Sequence, residues 1–402
     1  MISRGGRTFS GAKAAVVLAF LGAVQISANQ LVKIPIKSTL RSDVTGLNPS
    51  APMTNALVKV VTAVQAGNNQ TFPNVWVDTG SALLWVGAQE KYIPGPYTQA
   101  INQTFSLNYG SGGVNGTAYE DRVTIGSATV DGQIIGSESY FEGFTGVWPI
   151  DGLLGLGPTG SNQYEVSGYN TTPTFIDNLY SQGKISEPVF GLYIPPYVPG
   201  EESTGELTFG GVDSSKFTGD IEWIPQTTPT NEHWNFMVRM YCPTNFPEKL
   251  ITTIPTKLSS LAWGNITVPS PIYGRTDCGV LQILIPTETL LDMYHTLPGS
   301  SPDSTDSMLN SCLIFPSNVT VDELPAVEFG LGNLTVSILS TDYVVPESQY
   351  AALNVTDDGQ IHTWLCPGGP SAVNLGQKAL EHIYSAYDTV NNLVGFAPAV
   401  VA

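Results

Sequence analysis

The chain has 402 residues, including 41 glycines and 29 prolines, and only 12% of its residues are charged. A formal net charge of −18 excludes nucleic acid and an anionic membrane surface as expected partners, since too few cations are present to neutralise phosphates. The length suffices for two lobes with large cores. The acidity indicates either simple solubility or adaptation to acid, where few ion pairs are lost as carboxylates become protonated.

The N-terminus has the pattern of a secretory signal peptide. Arg4, Arg7 and Lys13 precede the apolar segment 14–24, which is too short to span a bilayer, and small residues follow at 27–28. We therefore predict a signal peptide over 1–28 and secretion to the extracellular space, with a vacuolar destination as the alternative. No later segment is apolar for long enough to predict a membrane span. Eight glycosylation sequons fit a secreted glycoprotein, at Asn69, Asn102, Asn115, Asn170, Asn265, Asn318, Asn333 and Asn354.

A short basic segment follows, over residues 29–54. Lys33, Lys37 and Arg41 concentrate positive charge in an otherwise acidic chain. This position and charge favour a removable prosegment that covers an acidic cleft. A disordered leader without a role is the alternative.

From residue 57 onward, short runs rich in Val, Ile, Thr and Tyr alternate with Gly- and Pro-containing turns, which predicts a mostly β fold. Stretches rich in Gly, Ser, Asn and Pro at 158–173 and 195–205 indicate surface loops. Short helices are predicted at 174–182, 287–295 and 346–353.

Two acidic turns are the most informative local feature. Asp-Thr-Gly-Ser at 78–81 lies between two apolar runs, and Asp-Cys-Gly-Val at 277–280 begins 199 residues after it. A buried carboxylate is costly unless it is paired, hydrogen-bonded or catalytic. An apolar, glycine-containing segment follows each turn, at 150–157 and 374–380, and we expect each to pack behind its turn. Together these repeats predict a duplicated fold that brings two carboxylates together.

The cysteines Cys242, Cys278, Cys312 and Cys366 allow three full pairings, among which the sequence does not choose. A structural disulfide at Cys278 would be awkward inside an acidic turn, and we favour a single bridge between Cys312 and Cys366. The cysteine spacing and the four scattered histidines show no zinc pattern, so no metal is expected.

Over residues 57–399 the chain resembles the pepsin-like aspartic proteases, especially those secreted by fungi. The resemblance rests on the first acidic turn with Trp85 and on ordered motifs at 108–112, 151–157, 205–211 and 387–397. It implies an all-β, bilobed fold with pseudo-two-fold symmetry and a few short helices. The N-terminal lobe would span 55–218 and the C-terminal lobe 219–402.

The same resemblance implies functional roles. Asp78 and Asp277 would face each other as a catalytic pair that shares one proton. Tyr109 and Gly110 would belong to a mobile flap, with Trp85 as the hydrogen-bond partner of Tyr109. Several turn residues would support the pair. Thr79 would form a hydrogen bond across to the other turn, and Ser81 would form one that helps keep Asp78 ionised. The supporting set also includes Gly80, Cys278 and Gly279. No cofactor or metal is implied, and the expected partners of a monomer are polypeptide substrates and its own prosegment.

The second turn departs from the family pattern. Cys278 replaces a hydroxyl residue and would weaken the bond across the turns, because a thiol is a weak donor. Val280 cannot bond to Asp277, which favours protonated Asp277, whereas a cation at Arg275 favours ionised carboxylates. The main prediction is an acid endopeptidase. A catalytically impaired peptide-binding homologue and an unrelated secreted β-sandwich module are the alternatives.

Overall fold

The computed structural model describes residues 32–39, 59–110, 112–144, 149–197, 203–227, 232–242, 266–267, 272–296, 298–305, 307–370 and 372–400. The predicted signal peptide and most of the predicted prosegment lie outside these ranges. Within them, the chain forms strands with a few short helices, which confirms the predicted all-β class.

The larger sheet has 13 strands in the described residues, in the order β11-β24-β23-β9-β10-β1-β2-β3-β8-β4-β7-β6-β5. Its strands are β1 Val32–Thr39, β2 Lys59–Ala66, β3 Gln70–Asp78, β4 Leu84–Val86, β5 Gln99–Tyr109, β6 Gly112–Ile125, β7 Ala128–Gly143, β8 Gly152–Gly155, β9 Val189–Tyr193, β10 Ser203–Phe209, β11 Glu222–Pro225, β23 Ile383–Asp388 and β24 Leu393–Pro398. The β-branched and aromatic residues of these strands supply much of the buried core.

A second sheet has eight strands in the described residues, in the order β19-β18-β12-β14-β22-β15-β21, with β13 beside β12. Its strands are β12 Asn235–Cys242, β13 Ile266–Thr267, β14 Ile272–Asp277, β15 Ile283–Ile285, β18 Val327–Leu331, β19 Leu334–Ile338, β21 Leu365–Pro367 and β22 Ala372–Gly376. A small third sheet contains β16 Ser301–Pro302, β17 Leu313–Phe315 and β20 Ile361–His362.

The two large sheets repeat one arrangement around the acidic turns. Strand β3 runs parallel to β8 with Asp78 opposite Gly155, and β14 runs parallel to β22 with Asp277 opposite Gly376. In each case the strand after the turn, β4 or β15, is antiparallel to the same partner, β8 or β22. The segments 150–157 and 374–380 therefore pack behind the two turns, as the sequence repeat predicts, and the fold has the expected duplication.

The predicted lobes share the larger sheet. Strands β11, β23 and β24 come from the predicted C-terminal lobe, yet they extend the sheet that contains β2 to β10. The lobe boundary at 218/219 remains a prediction. Strand β1, which belongs to the predicted prosegment, pairs with both β10 and β2.

The three predicted helical segments are present. Helix α1 Phe175–Ser181 begins after Thr174, whose hydroxyl accepts a hydrogen bond from the Asp177 amide at 3.2 Å, as a helix N-cap does. The other helices are α2 Thr287–Thr296, α3 Ser340–Tyr343, α4 Tyr350–Leu353 and α5 Gln377–Leu380, with 3₁₀ turns at Thr159–Asn162, Val321–Glu323 and Glu347–Gln349. No helix of the described residues combines the length and apolarity that a membrane span requires.

The disulfide predicted between Cys312 and Cys366 is present and joins positions 54 residues apart. Cys278 is a free, buried thiol. The side chain of Cys242 lies outside the described part of the chain.

We expect Gly376→Ala to destabilise the fold by about 1–3 kcal/mol, because its new methyl group would collide with the carbonyl oxygen of Gln282. Urea unfolding of the purified protein measures this loss. Gly113→Ala is the control, since a methyl group there would lie no closer than 3.5 Å to its neighbours. Equal stability of the two variants would contradict the close packing of β22 behind the second turn.

Candidate active site

The first acidic turn holds the carboxylate of Asp78 at the end of β3. The Gly80 amide donates to Oδ1 at 2.7 Å, and the Ser81 hydroxyl donates to Oδ2 at 2.6 Å. Behind the turn, the Leu156 and Gly157 amides donate to the carbonyls of Asp78 and Ser81 at 2.7 and 2.6 Å. The segment after β8 therefore fixes the backbone from which the carboxylate projects.

The second turn holds Asp277 in a different way. The Gly279 amide donates to Oδ1 at 3.1 Å, while Oδ2 accepts a long bond of 3.5 Å from the Asn374 amide nitrogen. Nη2 of Arg275 lies 3.9 Å from the same Oδ2. Val280 offers no side-chain donor, so Asn374 and Arg275 act on the oxygen that the hydroxyl of Ser81 serves in the first turn.

The two turns meet through their glycines. A methyl group added to Gly80 would lie 2.6 Å from Cγ of Asp277, and one added to Gly279 would lie 2.5 Å from Oδ1 of Asp78. Real Cβ atoms do not approach other atoms so closely, so each carboxyl group occupies the space that a side chain on the opposite turn would need. The structure thus brings Asp78 and Asp277 together.

A bond across the turns is present despite the cysteine. The backbone amide of Cys278 donates to Oγ1 of Thr79 at 3.0 Å, and the thiol donates to the Val77 carbonyl at 3.2 Å. Both Thr79 and Cys278 are buried. Burial also raises the pKa of the Cys278 thiol, which keeps its proton available for that bond.

The environments of the two carboxyls raise the pKa of both, so the pair retains one proton that its members share. Burial first, then the charge of Asp277, raise the pKa of Asp78 to about 7, although Ser81 and Gly80 lower it. Burial also raises the pKa of Asp277, but Arg275 opposes this shift, and so does a hydrogen bond from Asp78. Ser81 thus lowers the pKa of Asp78, which is the direction that favours its ionised form. The raised pKa of Asp277 has the direction expected from the missing donor at Val280, and Arg275 opposes that rise.

Arg275 is a partly exposed cation beside the carboxyl pair. Its side chain is 43% exposed, and it lines the cleft beside the carboxyl pair. Solvent therefore screens its charge in part, and its position at Oδ2 of Asp277 alone makes its effect asymmetric. Its charge lowers the pKa of Asp277 and is not among the causes that shift the pKa of Asp78.

The hairpin of β5 and β6 brings Tyr109 and Gly110 over the carboxyl pair. Nε1 of the fully buried Trp85 donates to the Tyr109 hydroxyl at 3.0 Å, and the Tyr109 ring packs edge-on against Phe144 at 5.3 Å between centroids. Burial and the nearby Asp78 raise the pKa of Tyr109, so its hydroxyl stays protonated. Gly110 lies exposed at the hairpin tip.

A cleft of about 490 Å³ contains the pair and the hairpin tip. Its lining also includes polar residues that no sequence motif marked as site residues, among them Glu165, His233 and Gln282. Burial first, then Arg275, lower the pKa of His233. Glu165 lies in the stretch 158–173, whose composition indicated only a surface loop, and a lone acid there carries no sequence signal. Among the described residues, no group of three or more His, Cys, Asp or Glu is arranged to hold a metal ion.

The raised pKa of Asp78 predicts lower stability at neutral pH. A carboxyl with a folded pKa of about 7, against about 4 when unfolded, stabilises the fold below pH 4 and loses that contribution as the pH rises through 7. Calorimetric melting temperatures should therefore fall from pH 4 to pH 8, and Asp78→Asn should reduce the fall. Asp131→Asn, at an exposed carboxylate, serves as the control. An equally steep fall in Asp78→Asn would contradict the buried, protonated carboxyl.

Comparisons with known proteins agree with this geometry. The family model described as eukaryotic aspartyl protease matches residues 59–399. Polyporopepsin of Irpex lacteus is 32% identical over 357 residues, which cover 87% of this chain and 96% of that protein. Cathepsin E of Mus musculus is 28% identical over 348 residues, which cover 80% of this chain and 76% of that protein.

The fold has a similar solved counterpart. The crystal structure of an aspartic proteinase from Irpex lacteus aligns with a TM-score of 0.75 and 26% identity, covering 92% of this chain and 97% of the other. The matches in sequence and in structure both extend over both acidic turns. The chain therefore belongs to the eukaryotic aspartyl protease family.

Proposed function

We propose that the chain is an aspartic endopeptidase that hydrolyses internal peptide bonds of polypeptides in acid, with Asp78 and Asp277 as its catalytic pair. The observation that carries this proposal is the pair of buried carboxyls held face to face at the end of a cleft, each touching the glycine of the opposite turn. The family relationship supports the same activity.

The geometry supports a general acid–base mechanism. Ionised Asp277 would accept a proton from a water molecule between the carboxyls, and the resulting hydroxide would attack the peptide carbonyl carbon. Protonated Asp78 would donate its proton to the carbonyl oxygen, which gives a neutral tetrahedral diol. The proton on Asp277 would then pass to the leaving amine as the C–N bond breaks, and Asp78 would regain its proton from the diol.

The hairpin tip would exclude water from this reaction. Tyr109 and Gly110 lie at the end of two long strands that can bend over a bound peptide, as flaps and lids do in other enzymes. Trp85 would fix the Tyr109 ring through the bond to its hydroxyl. This role for the hairpin is part of the proposal.

The impaired-homologue alternative rests on Cys278 and Val280, and the family comparisons do not favour it. The backbone bond from Cys278 to Thr79 argues against it as well, because that bond does not depend on the identity of the side chain. The unrelated β-sandwich alternative is excluded by the family match.

The N-terminal segments would direct the enzyme into the secretory pathway and keep it inactive until processing. We propose secretion through the signal peptide 1–28, to the extracellular space or the vacuole, and removal of the prosegment 29–54 from a monomer. Because β1 pairs with β10 and β2, this removal requires the strand to leave the larger sheet.

Asp78→Asn and Asp277→Asn should each reduce kcat at least about 1,000-fold, because each removes a proton-transfer group from a unit that works as a pair. Cleavage of an unfolded protein from pH 2 to 7, with and without a statine-type transition-state inhibitor, measures this. Asp131→Asn should retain activity. Undiminished acid proteolysis by either dyad variant would contradict the mechanism.

Arg275→Met should move the acid limb of the kcat/KM profile to higher pH, because the guanidinium lowers the pKa of Asp277. Activity near pH 2 to 3 should therefore fall more than activity at the optimum. Arg275→Lys keeps the charge and should restore most of the acid limb. Identical profiles for Arg275→Met and the unmodified enzyme would show that Arg275 does not tune the pair.

A further inference from the structure

Glu165 is a third carboxyl group in the cleft, and the proposed mechanism does not use it. It lines the cleft together with Asp78 and Tyr109. The backbone around it is well held, since the Glu165 carbonyl accepts from the Ser106 amide at 3.0 Å and its amide donates to the Asn162 carbonyl at 3.2 Å. A fixed backbone makes Glu165 a permanent part of the cleft wall.

One oxygen of the Glu165 carboxyl group lacks a hydrogen-bond partner among the described residues. Its Oε2 atom is shielded from solvent and makes no hydrogen bond with any described residue. A buried polar oxygen left unpaired costs about 1–3 kcal/mol. Because the side chain lines the cleft, a rotation of its carboxyl group would present this oxygen to a donor on an occupant of the cleft.

The charges around Glu165 favour a cationic donor. Asp78 and Tyr109 are the titratable groups that face it. Burial first, and then the negative charge that Asp78 carries when it is the ionised member of the pair, raise the pKa of Glu165 to about 8. The other titratable groups of the cleft are Asp277, Cys278, Arg275 and His233, and none of these four is among the causes of the shift at Glu165.

We propose that Glu165 is a specificity-determining residue, whose carboxylate receives the cationic side chain of a substrate lysine or arginine. This inference rests on the proposed peptidase function and adds a substrate preference to it. A bound ammonium or guanidinium would donate to Oε2 and would offset the repulsion from the singly ionised Asp78–Asp277 pair. The cleft would then accept a basic residue at one subsite.

The proposal has a pH signature that a purely structural carboxyl lacks. In the empty cleft Glu165 is protonated in acid, because its pKa is raised to about 8. Binding a lysine must therefore expel that proton, and this becomes easier as the pH rises. The preference for lysine over the neutral isostere norleucine should increase by up to about tenfold per pH unit.

The test uses pairs of peptide substrates that differ only in lysine or norleucine, with the exchange moved through the positions that flank the cleaved bond. The ratio of kcat/KM values within a pair cancels the pH dependence of the Asp78–Asp277 pair. For the unmodified enzyme, the ratio at one position should rise between pH 3 and 6. In Glu165→Gln it should be flat and lower at pH 6, whereas Glu187→Gln, at an exposed surface position, should match the unmodified enzyme.

The possible outcomes distinguish the role of Glu165 from the proposed peptidase activity. No cleavage of any peptide would count against the peptidase itself. Cleavage with the same ratios in the unmodified enzyme and in Glu165→Gln at every position would overturn the role of Glu165. If Glu165→Gln does not fold, calorimetry of the unmodified enzyme decides: a lysine-containing peptide inhibitor should release close to one proton more at pH 6 than its norleucine twin, and equal release would overturn the proposal.

Discussion

The contact between two buried carboxyl groups and the glycines of opposite turns is the constraint on which the site depends. The carboxyl group of Asp78 contacts Gly279, and that of Asp277 contacts Gly80, so closely that neither glycine could carry a side chain. Buried carboxyls are tolerated only with donors close by, and the amides of these same two glycines donate to them. The two parallel strand pairs, β3 with β8 and β14 with β22, hold the turns where this contact can form.

The two halves are symmetric in backbone and asymmetric in charge. Ser81 donates a hydroxyl to Asp78, while a guanidinium lies beside Asp277. The hydroxyl lowers the pKa of Asp78 through a hydrogen bond, and the guanidinium lowers the pKa of Asp277 through its charge. Two otherwise equivalent acids therefore differ in their environments, which suits a pair that shares one proton.

Much of this arrangement was predictable because it follows from local patterns. The acidic turns, the glycine segments behind them, three short helices and the Cys312–Cys366 bridge each leave a signal in a short stretch of sequence. The positions of Glu165 and Asn374 depend on how distant loops fold over the cleft, and a single acid or amide in a loop carries no such signal. The effect of Arg275 on Asp277 was not predictable for a similar reason, since it depends on where the Arg275 side chain points.

The departures in the second turn are better understood together than one by one. The bond across the turns uses the backbone amide of Cys278, which any residue supplies, so the loss of the hydroxyl there removes little. Val280 does remove a donor to Asp277, but Arg275 and Asn374 both approach the outer oxygen of that carboxylate. If both carboxyls had all their hydrogen bonds, a nearby cation would favour two ionised carboxylates and oppose the shared proton. Here the guanidinium of Arg275 instead lies near the oxygen of Asp277 that lacks a hydroxyl donor. The irregular residues at 275, 278 and 280 thus form one compensated set around Asp277.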